Sequence, residues 1–236
     1  MTSAAIITGA AGALGQSIAS RLGQDLEALL LVDVDEQGLA PVAESMGAEY
    51  VAVDLGSDQA PDILSEALDE RGWIPRALVN NAGVNRDARI SRMSDEDFAT
   101  VIRVDLVAPA RLALALGPRM PDAGSIVNVA SRAAFGNFGQ ANYVAAKAGL
   151  IGLTRSLAIQ WAPRVRVNAI APGLVDTPMT AGMPEEVLSR LVDRVPADRM
   201  AQPDEIAEAV AFLASPAASY VTGQVLVACG GRSIAP

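Results

Sequence analysis

The sequence predicts one α/β domain spanning residues 1–236, doubly wound, with a parallel sheet and helices on both of its faces. Three observations carry this. Short apolar runs alternate with longer amphipathic segments along the whole chain, the pattern of strand–helix–strand crossovers. No low-complexity linker and no internal repeat divides the chain. The residues with useful chemistry stand directly after the apolar runs, where an open parallel sheet binds its ligands.

The first apolar run, Ala4–Thr8, opens into the turn TGAAGALG, Thr8 to Gly15, and a helix over Ala13–Gly23. Glycines at a strand–helix turn let the backbone approach a pyrophosphate whose charge rests on the helix N-terminus. Gly9, Gly12 and Gly15 supply that freedom, and Ala13 and Leu14 complete the candidate phosphate-facing set. The second run, Leu29–Val34, carries Asp33. A carboxylate there accepts hydrogen bonds from an adenosine ribose and repels a 2′-phosphate. No Lys or Arg stands in Thr8–Gly15 or directly after Asp33, which favours NAD(H) over NADP(H).

A helix over Glu36–Met46 leads to the third run, Tyr50–Leu55, where Asp54 and Leu55 are candidates for the adenine end. A helix over Gln59–Arg71 precedes the fourth run, Ala77–Gly83, whose Asn81, Ala82 and Gly83 give a tight, small-residue wall beside a cofactor. Both segments read equally as turn chemistry, since Asn, Asp and Gly are common turn formers. Ser94-Asp95-Glu96-Asp97 caps a helix over Asp95–Leu116. The remaining runs are Ser125–Ser131, Val165–Gly173 and Gly223–Gly231, with helices over Gln140–Trp161 and Pro203–Leu213 between them. All the apolar runs read as fully buried strands.

Composition excludes several chemistries. Lys plus Arg is 18 against 27 Asp plus Glu, a net charge of −9, so nucleic acid and anionic membranes are not expected partners. The chain has no histidine, which removes Ser-His-Asp catalysis, His-ligated zinc and His general bases. Cys229 is the single cysteine, so there is no intrachain disulfide and no multi-Cys metal site; it reads as a buried structural thiol. MTSAAIITGA lacks the basic start of a secretory signal, and the uncharged stretch Ala209–Gly231 contains Pro216 and several hydroxyls. A soluble cytoplasmic protein with a small-molecule substrate is the expectation.

An acid–base group for such a protein must then be something other than imidazole. In GQANYVAAKAGL, Tyr143 and Lys147 stand at i and i+4, which puts both side chains on one helix face. A neighbouring ammonium favours the ionised form of a phenol, making a candidate proton donor and acceptor.

Taken in order, TGAAGALG, NNAG, YVAAK and APGLVDTPM resemble the short-chain dehydrogenase/reductase family, and the similarity runs to YVTGQVLVACGG near the C-terminus. Within the family, NRDARISRMSDEDF and GNFGQANYVAAKAGLIGLTRSLA are most similar to the β-ketoacyl (3-oxoacyl) reductase branch. The resemblance implies a Rossmann-type fold and hydride transfer between NAD(H) and a secondary alcohol or ketone, of 3-oxoacyl or 3-hydroxyacyl type. It implies that Tyr143 exchanges a proton with the substrate oxygen, that Ser131 holds that oxygen, and that Lys147 also bonds the nicotinamide ribose. Thr177 and the backbone of Val175, after Pro172 and Gly173, would fix the carboxamide.

Residues 179–200 would form a lid, with Phe135, Phe138 and Met183 lining an apolar pocket, and a homotetramer or homodimer would pack through the small residues of Ala141–Gly152. Arg164 lies where related reductases carry a carrier-protein docking cation, while Asp122 stands near where another is expected. Three departures from the pattern stand out: Asp105 occupies the usual Asn position of the proton relay, the Ser131–Tyr143 interval is one residue short, and ACGG replaces the common VDGG. The alternative reading is a nucleotide-binding regulatory or structural subunit with little turnover, which the intact Ser131, Tyr143 and Lys147 argue against.

Overall fold

The computed structural model describes residues 2–234; Met1, Ala235 and Pro236, the ends of the expected domain, lie outside the described residues. Its centre is a seven-stranded sheet of order β3-β2-β1-β4-β5-β6-β7. The strands are β1 (Thr2–Thr8), β2 (Ala28–Asp33), β3 (Glu49–Ala52), β4 (Trp73–Asn80), β5 (Gly124–Val129), β6 (Val165–Pro172) and β7 (Val225–Ala228). All neighbours pair in parallel. The order of connection reverses between β1 and β4, and a cleft opens there at the carboxyl ends.

Successive strand residues point to opposite faces, so each apolar pair serves two cores. Ile7, Leu31, Val79 and Val127 pack on one face against α1 (Ala13–Leu22), α2 (Glu36–Met46) and α9 (Pro203–Ala214). Their chain neighbours Ile6, Leu30, Leu78 and Ile126 pack on the other against α3 (Ala60–Glu70), α5 (Ala108–Leu116) and α6 (Ala141–Trp161). A strand buried on both faces must be apolar throughout, which is why these runs show no polar alternation.

Two runs expected to be fully buried are edge strands instead. In β3 every residue but Val51 is exposed, and in β7 Leu226 is 40% exposed. The helices cover the middle of the sheet and leave its margins uncovered.

The expected helix over Asp95–Leu116 is present but interrupted. It consists of α4 (Asp95–Ile102), a wide π turn over Arg103–Val107, and α5, with the Ala108 amide bonded to the carbonyl of Arg103. Pro109 has no N–H, so the ordinary helical bond to the carbonyl of Asp105 cannot form, and the helix widens there. In the expected lid, α7 (Pro178–Ala181) and α8 (Glu185–Val192) are two helices that the sequence pattern did not announce. Among the described residues no helix is long and apolar enough to cross a membrane.

Candidate active site

The cleft has a volume of about 610 Å³ and is bounded by the residues that follow β1, β2, β4, β5 and β6. At its floor the glycine turn is held in one conformation. Gly9 has φ +68°, and a Cβ there would lie 2.8 Å from Ala82 Cα. A Cβ on Gly15 would lie 2.1 Å from the Gly9 carbonyl oxygen, so α1 starts against its own entry turn. Gly12 differs: a Cβ would meet nothing nearer than 3.5 Å, and the space beside it belongs to the cleft. No side chain caps α1, which leaves the first amides, those of Ala13 and Leu14 among them, for an anionic group.

The NNAG segment is stapled to this turn. Thr8 Oγ1 accepts from the amides of Asn81 and Ala82, both at 3.0 Å. Asn81 Nδ2 donates to the carbonyls of Thr8 at 2.9 Å and Gly9 at 3.2 Å. Thus the Asn81 side chain is spent on the scaffold, and what it offers the cleft is a wall.

The far end of the cleft is acidic. Asp33 accepts from the amides of Ala11 at 3.0 Å, Val34 at 2.8 Å and Asp35 at 3.1 Å. Asp54 accepts from the Gly56 amide at 2.8 Å, which is turn chemistry, and it lines the cleft beside Leu55. Among the described residues lining the cleft, Lys147 is the one basic side chain, and it stands at the opposite end.

At that end Tyr143 and Lys147 project from the first two turns of α6, with Lys147 Nζ 5.5 Å from the centre of the Tyr143 ring. Lys147 is buried; its ammonium donates to the Val129 carbonyl at 3.0 Å and lies 3.2 Å from Asp105 Oδ2. The Asp105 contact is an ion pair with poor hydrogen-bond direction, since Oδ2 finds no well-aligned donor. Asp105 Oδ1 accepts from the Val84 amide at 2.8 Å. Asp105 does not line the cleft. It is fully buried beneath it, carried there by the π turn.

Burial pushes the Asp105 carboxyl above its usual range, against the pull of Lys147 and the Val84 amide. Burial also pulls the Lys147 ammonium down, but Tyr143 and Asp105 together outweigh it and leave it raised. Gly83 makes room for this pair, because a Cβ there would lie 2.8 Å from Asp105 Oδ2 and 3.4 Å from Lys147 Nζ.

Ser131 lines the same cleft; its hydroxyl accepts from the Ala133 amide at 3.1 Å and caps the short 3₁₀ turn Arg132–Phe135. Pro172, Gly173, Val175 and Thr177 form the wall after β6. Gly173 is pressed against Cys229, whose Cα would lie 2.7 Å from an added Cβ. The Val175 carbonyl accepts from Thr180 Oγ1 at 2.8 Å. Every expected cofactor-facing residue therefore borders one cleft, together with Ser131.

The expected apolar pocket is different. Phe135 and Phe138 are 61% and 83% exposed, and neither borders the cleft; Arg89 stacks on Phe138 at 5.8 Å instead. Each sits in the solvent-facing loop before α6, where glycines at positions 136 and 139 turn the chain outward.

Sequence reasoning missed the polar supports. Asn80 donates to Asn128 at 2.8 Å, Asn128 to Thr154 at 2.9 Å, and Thr154 to the Leu150 carbonyl at 2.8 Å. All of these side chains are buried. Asn142 accepts from the Tyr143 amide at 2.8 Å and donates to the Arg86 carbonyl at 2.9 Å. The available signal was an Asn inside an otherwise apolar strand, which must be hydrogen-bonded if buried.

Comparison with known proteins agrees with this geometry. The family model described as enoyl-(acyl carrier protein) reductase matches residues 9–233. The chain is 39% identical to the 3-oxoacyl-[acyl-carrier-protein] reductase FabG of Thermotoga maritima, over 97% of each chain. It is 37% identical to the (2S)-[(R)-hydroxy(phenyl)methyl]succinyl-CoA dehydrogenase subunit BbsD of Thauera aromatica, over 98% of this chain and 96% of that one. A short-chain dehydrogenase/reductase of Brucella melitensis, titled glucose/ribitol dehydrogenase, superposes with a TM-score of 0.92 at 33% identity, covering 98% of this chain and 96% of the other. With a glycine turn, a Tyr143–Lys147 pair and Ser131 in one cleft, and with relatives of this closeness over the full length, the chain belongs to the short-chain dehydrogenase/reductase family of oxidoreductases.

Proposed function

We propose that the protein transfers a hydride between NAD(H) and a secondary alcohol or ketone of 3-oxoacyl or 3-hydroxyacyl type. The observation that carries this is the placement of Ser131, Tyr143 and Lys147 at one end of a cleft whose other end fits a dinucleotide. The fit rests on the uncapped start of α1 beside the open Gly12 for a pyrophosphate, and on Asp33 for a ribose. When bound, the nicotinamide supplies or accepts the hydride at the substrate carbon.

The chain's own residues handle the proton. In reduction the Tyr143 hydroxyl gives its proton to the carbonyl oxygen as that oxygen gains charge, and Ser131 donates a hydrogen bond to the same oxygen. In oxidation Tyr143 takes the proton back. Lys147 uses one donor on Val129 and pairs with Asp105 by charge, so a donor remains for a cofactor ribose or water. Thr177 and the Val175 backbone hold the carboxamide side of the site, and residues 179–200 close over it. The reading as a regulatory or structural subunit is not favoured, because the proton-handling groups share the cofactor cleft.

NAD(H) is favoured over NADP(H) because Asp33, Asp35 and Asp54 border the adenosine end with no cation among them. A free or CoA-linked acyl group is favoured over a carrier-protein thioester. Carrier proteins are acidic and need a basic patch, whereas Arg164 is turned inward onto the carbonyls of Met120 and Gly117. A cytoplasmic homo-oligomer suits the exposed apolar side chains of Ile159, Phe212 and Leu226.

Nicotinamide absorbance with a 3-oxoacyl-CoA and each cofactor tests the reading. kcat/KM should be larger with NADH than with NADPH by roughly ten- to a hundredfold, and Asp33→Ala should narrow the gap. Equal use of both cofactors by the wild type would refute the preference, and no hydride transfer to any ketone would refute the activity.

A further inference from the structure

The segment after β4 is sewn to the start of α6, and the seam runs beside the reacting groups. Val84 and Asn85 border the cleft together with Ser131 and Tyr143. Beyond them the chain follows the entry to α6. The Ala88 amide donates to the Gly139 carbonyl at 2.9 Å, and Ala88 pairs with Gln140 as an isolated parallel bridge. Gln140 Nε2 donates to Asp87 Oδ2 at 2.8 Å. A further bond, from Asn142 Nδ2 to the Arg86 carbonyl at 2.9 Å, fastens the seam from inside.

Asn142 differs from the outer stitches in its burial and in what it holds. The Asp87–Gln140 bond is exposed, whereas Asn142 is 0% exposed. Its side-chain oxygen accepts from the backbone amide of Tyr143 at 2.8 Å. The first amides of a helix have no partner within it, and in α6 the first helical bond runs from the Val144 amide to the Gln140 carbonyl at 2.8 Å. The Gln140 side chain does not cap the helix. Asn142 therefore satisfies the amide of the proton-handling residue itself, and with its other end it grips the loop that leaves the cleft.

The near end of the same segment is held too. The Val84 amide donates to Asp105 Oδ1 at 2.8 Å, and Asp105 pairs with Lys147, one turn along α6 from Tyr143. Residues 84–88 thus meet the first two turns of α6 twice, through Asp105 at Lys147 and through Asn142 at Tyr143. Directly before them stand Asn81, Ala82 and Gly83, the wall beside the cofactor. The stretch of chain that builds that wall is therefore the one that locates the start of α6. Helix ends fray, so a proton donor rooted in a first turn depends on such a tie for its place.

We propose that Asn142 is a positioning residue for hydride transfer: by bracing the first turn of α6 against residues 84–88 it fixes the distance from the cofactor wall to the Tyr143 hydroxyl. This rests on the hydride-transfer reading above. Asn142 does not border the cleft, so it acts through the groups it holds and not by touching cofactor or substrate. A buried asparagine that served stability alone would look different in its effects, and the chain supplies one for comparison. Asn168 is also 0% exposed and also bridges two backbone groups, donating to the Val221 carbonyl at 2.8 Å and accepting from the Gln224 amide at 3.1 Å. Those partners lie at the amino end of β7, whereas the cleft lies at the carboxyl ends of the strands.

The test measures kcat and the KM for NADH with a 3-oxoacyl-CoA in the wild type, Asn142→Ala and Asn168→Ala. A reacting group misplaced by about 1 Å can cost a hundredfold in rate, so kcat in Asn142→Ala should fall roughly ten- to a hundredfold, with the KM for NADH changed less than about threefold. Asn168→Ala loses as many buried bonds; its Tm should fall while kcat stays within about twofold of the wild type. A wild-type kcat in folded Asn142→Ala overturns the proposal. So does an equal loss of kcat in Asn168→Ala, or a raised KM with kcat unchanged. Asn142→Ser takes the place of the alanine variant in every comparison if the latter does not fold. If the wild type reduces no ketone, hydride transfer has failed, and hydrogen exchange decides the brace. In Asn142→Ala the amides of residues 84–88 and of 141–147 should both exchange at least about tenfold faster than in the wild type. Acceleration confined to 141–147 would show that the two segments are not braced together, and the proposal is then wrong.

Discussion

Replacing Asp105 by asparagine removes a negative charge from beneath the Tyr143–Lys147 pair while keeping an acceptor for the Val84 amide. Asp105 Oδ2 is 3.2 Å from Lys147 Nζ, which is itself 5.5 Å from the Tyr143 ring centre. The carboxylate is therefore no more than about 9 Å from the ring, and at an effective dielectric of 20 a unit charge there is worth about 2 kcal/mol. That energy is a factor of roughly twenty-five in any step that places negative charge on the Tyr143 oxygen. The Lys147 ammonium, close to both groups, offsets part of this field, so an effect of roughly tenfold is expected.

The sign follows from the charge: a carboxylate disfavours phenolate, so its removal favours phenolate. Alcohol oxidation requires the phenolate, and its kcat/KM rises toward alkaline pH. In Asp105→Asn that rise should set in at lower pH, with kcat/KM for oxidation at neutral pH increased roughly tenfold and ketone reduction at neutral pH changed less than about threefold. The assay is kcat/KM against pH for both proteins with NAD⁺ and one alcohol. A midpoint that stays in place or moves upward would refute the electrostatic argument.

The glycine turn and the last helix give two more expectations. Gly15→Ala should lower stability by about 1–3 kcal/mol in chemical denaturation, because its Cβ would lie 2.1 Å from a backbone oxygen, whereas Gly12→Ala should keep the Tm and raise only the KM for the cofactor. Glu205 accepts from Arg199 at 2.6 and 2.7 Å and from the Gln202 amide at 2.8 Å, which holds its carboxyl at about 2 against an ordinary 4.5. A depressed carboxyl stabilises the fold above its unfolded value and loses that contribution as pH falls toward 2. Glu205→Gln should therefore lower the Tm at pH 6, and the two melting curves should converge by about pH 2; a gap that persists there would rule out the ionised carboxylate as its cause.

Strand–helix alternation and the residues after each strand were legible because period and turn chemistry are local. The central strands, α1, α2 and the carboxyl-end residues Gly9, Asp33, Asn81 and Tyr143 follow from such signals. Burial of β3 and β7 was not legible, since an apolar run looks the same at an edge as at the centre. The π turn had a local cause in Pro109, but the periodicity of Asp95–Leu116 masks it. Phe135 and Phe138 mislead for a related reason: hydrophobicity names a candidate for burial without saying what covers it. Asp105 lies at the limit, because its identity is local while its contact with Lys147 joins two helices across the site.

The buried line from Asn80 through Asn128 to Thr154 and the Leu150 carbonyl also works as an alignment gauge. Parallel strands of leucine, isoleucine and valine with both faces apolar could slide past one another with little loss of oily contact. A slip between β4 and β5 would strand two amides in a dry interior, at roughly 1–3 kcal/mol for each unpaired group. Because Thr154 lies on α6, the same line fixes the height of that helix above the sheet, and with it the positions of Tyr143 and Lys147 along the cleft. The protein sets the elevation of its proton-handling groups from a reference mark roughly two to three turns further along the same helix.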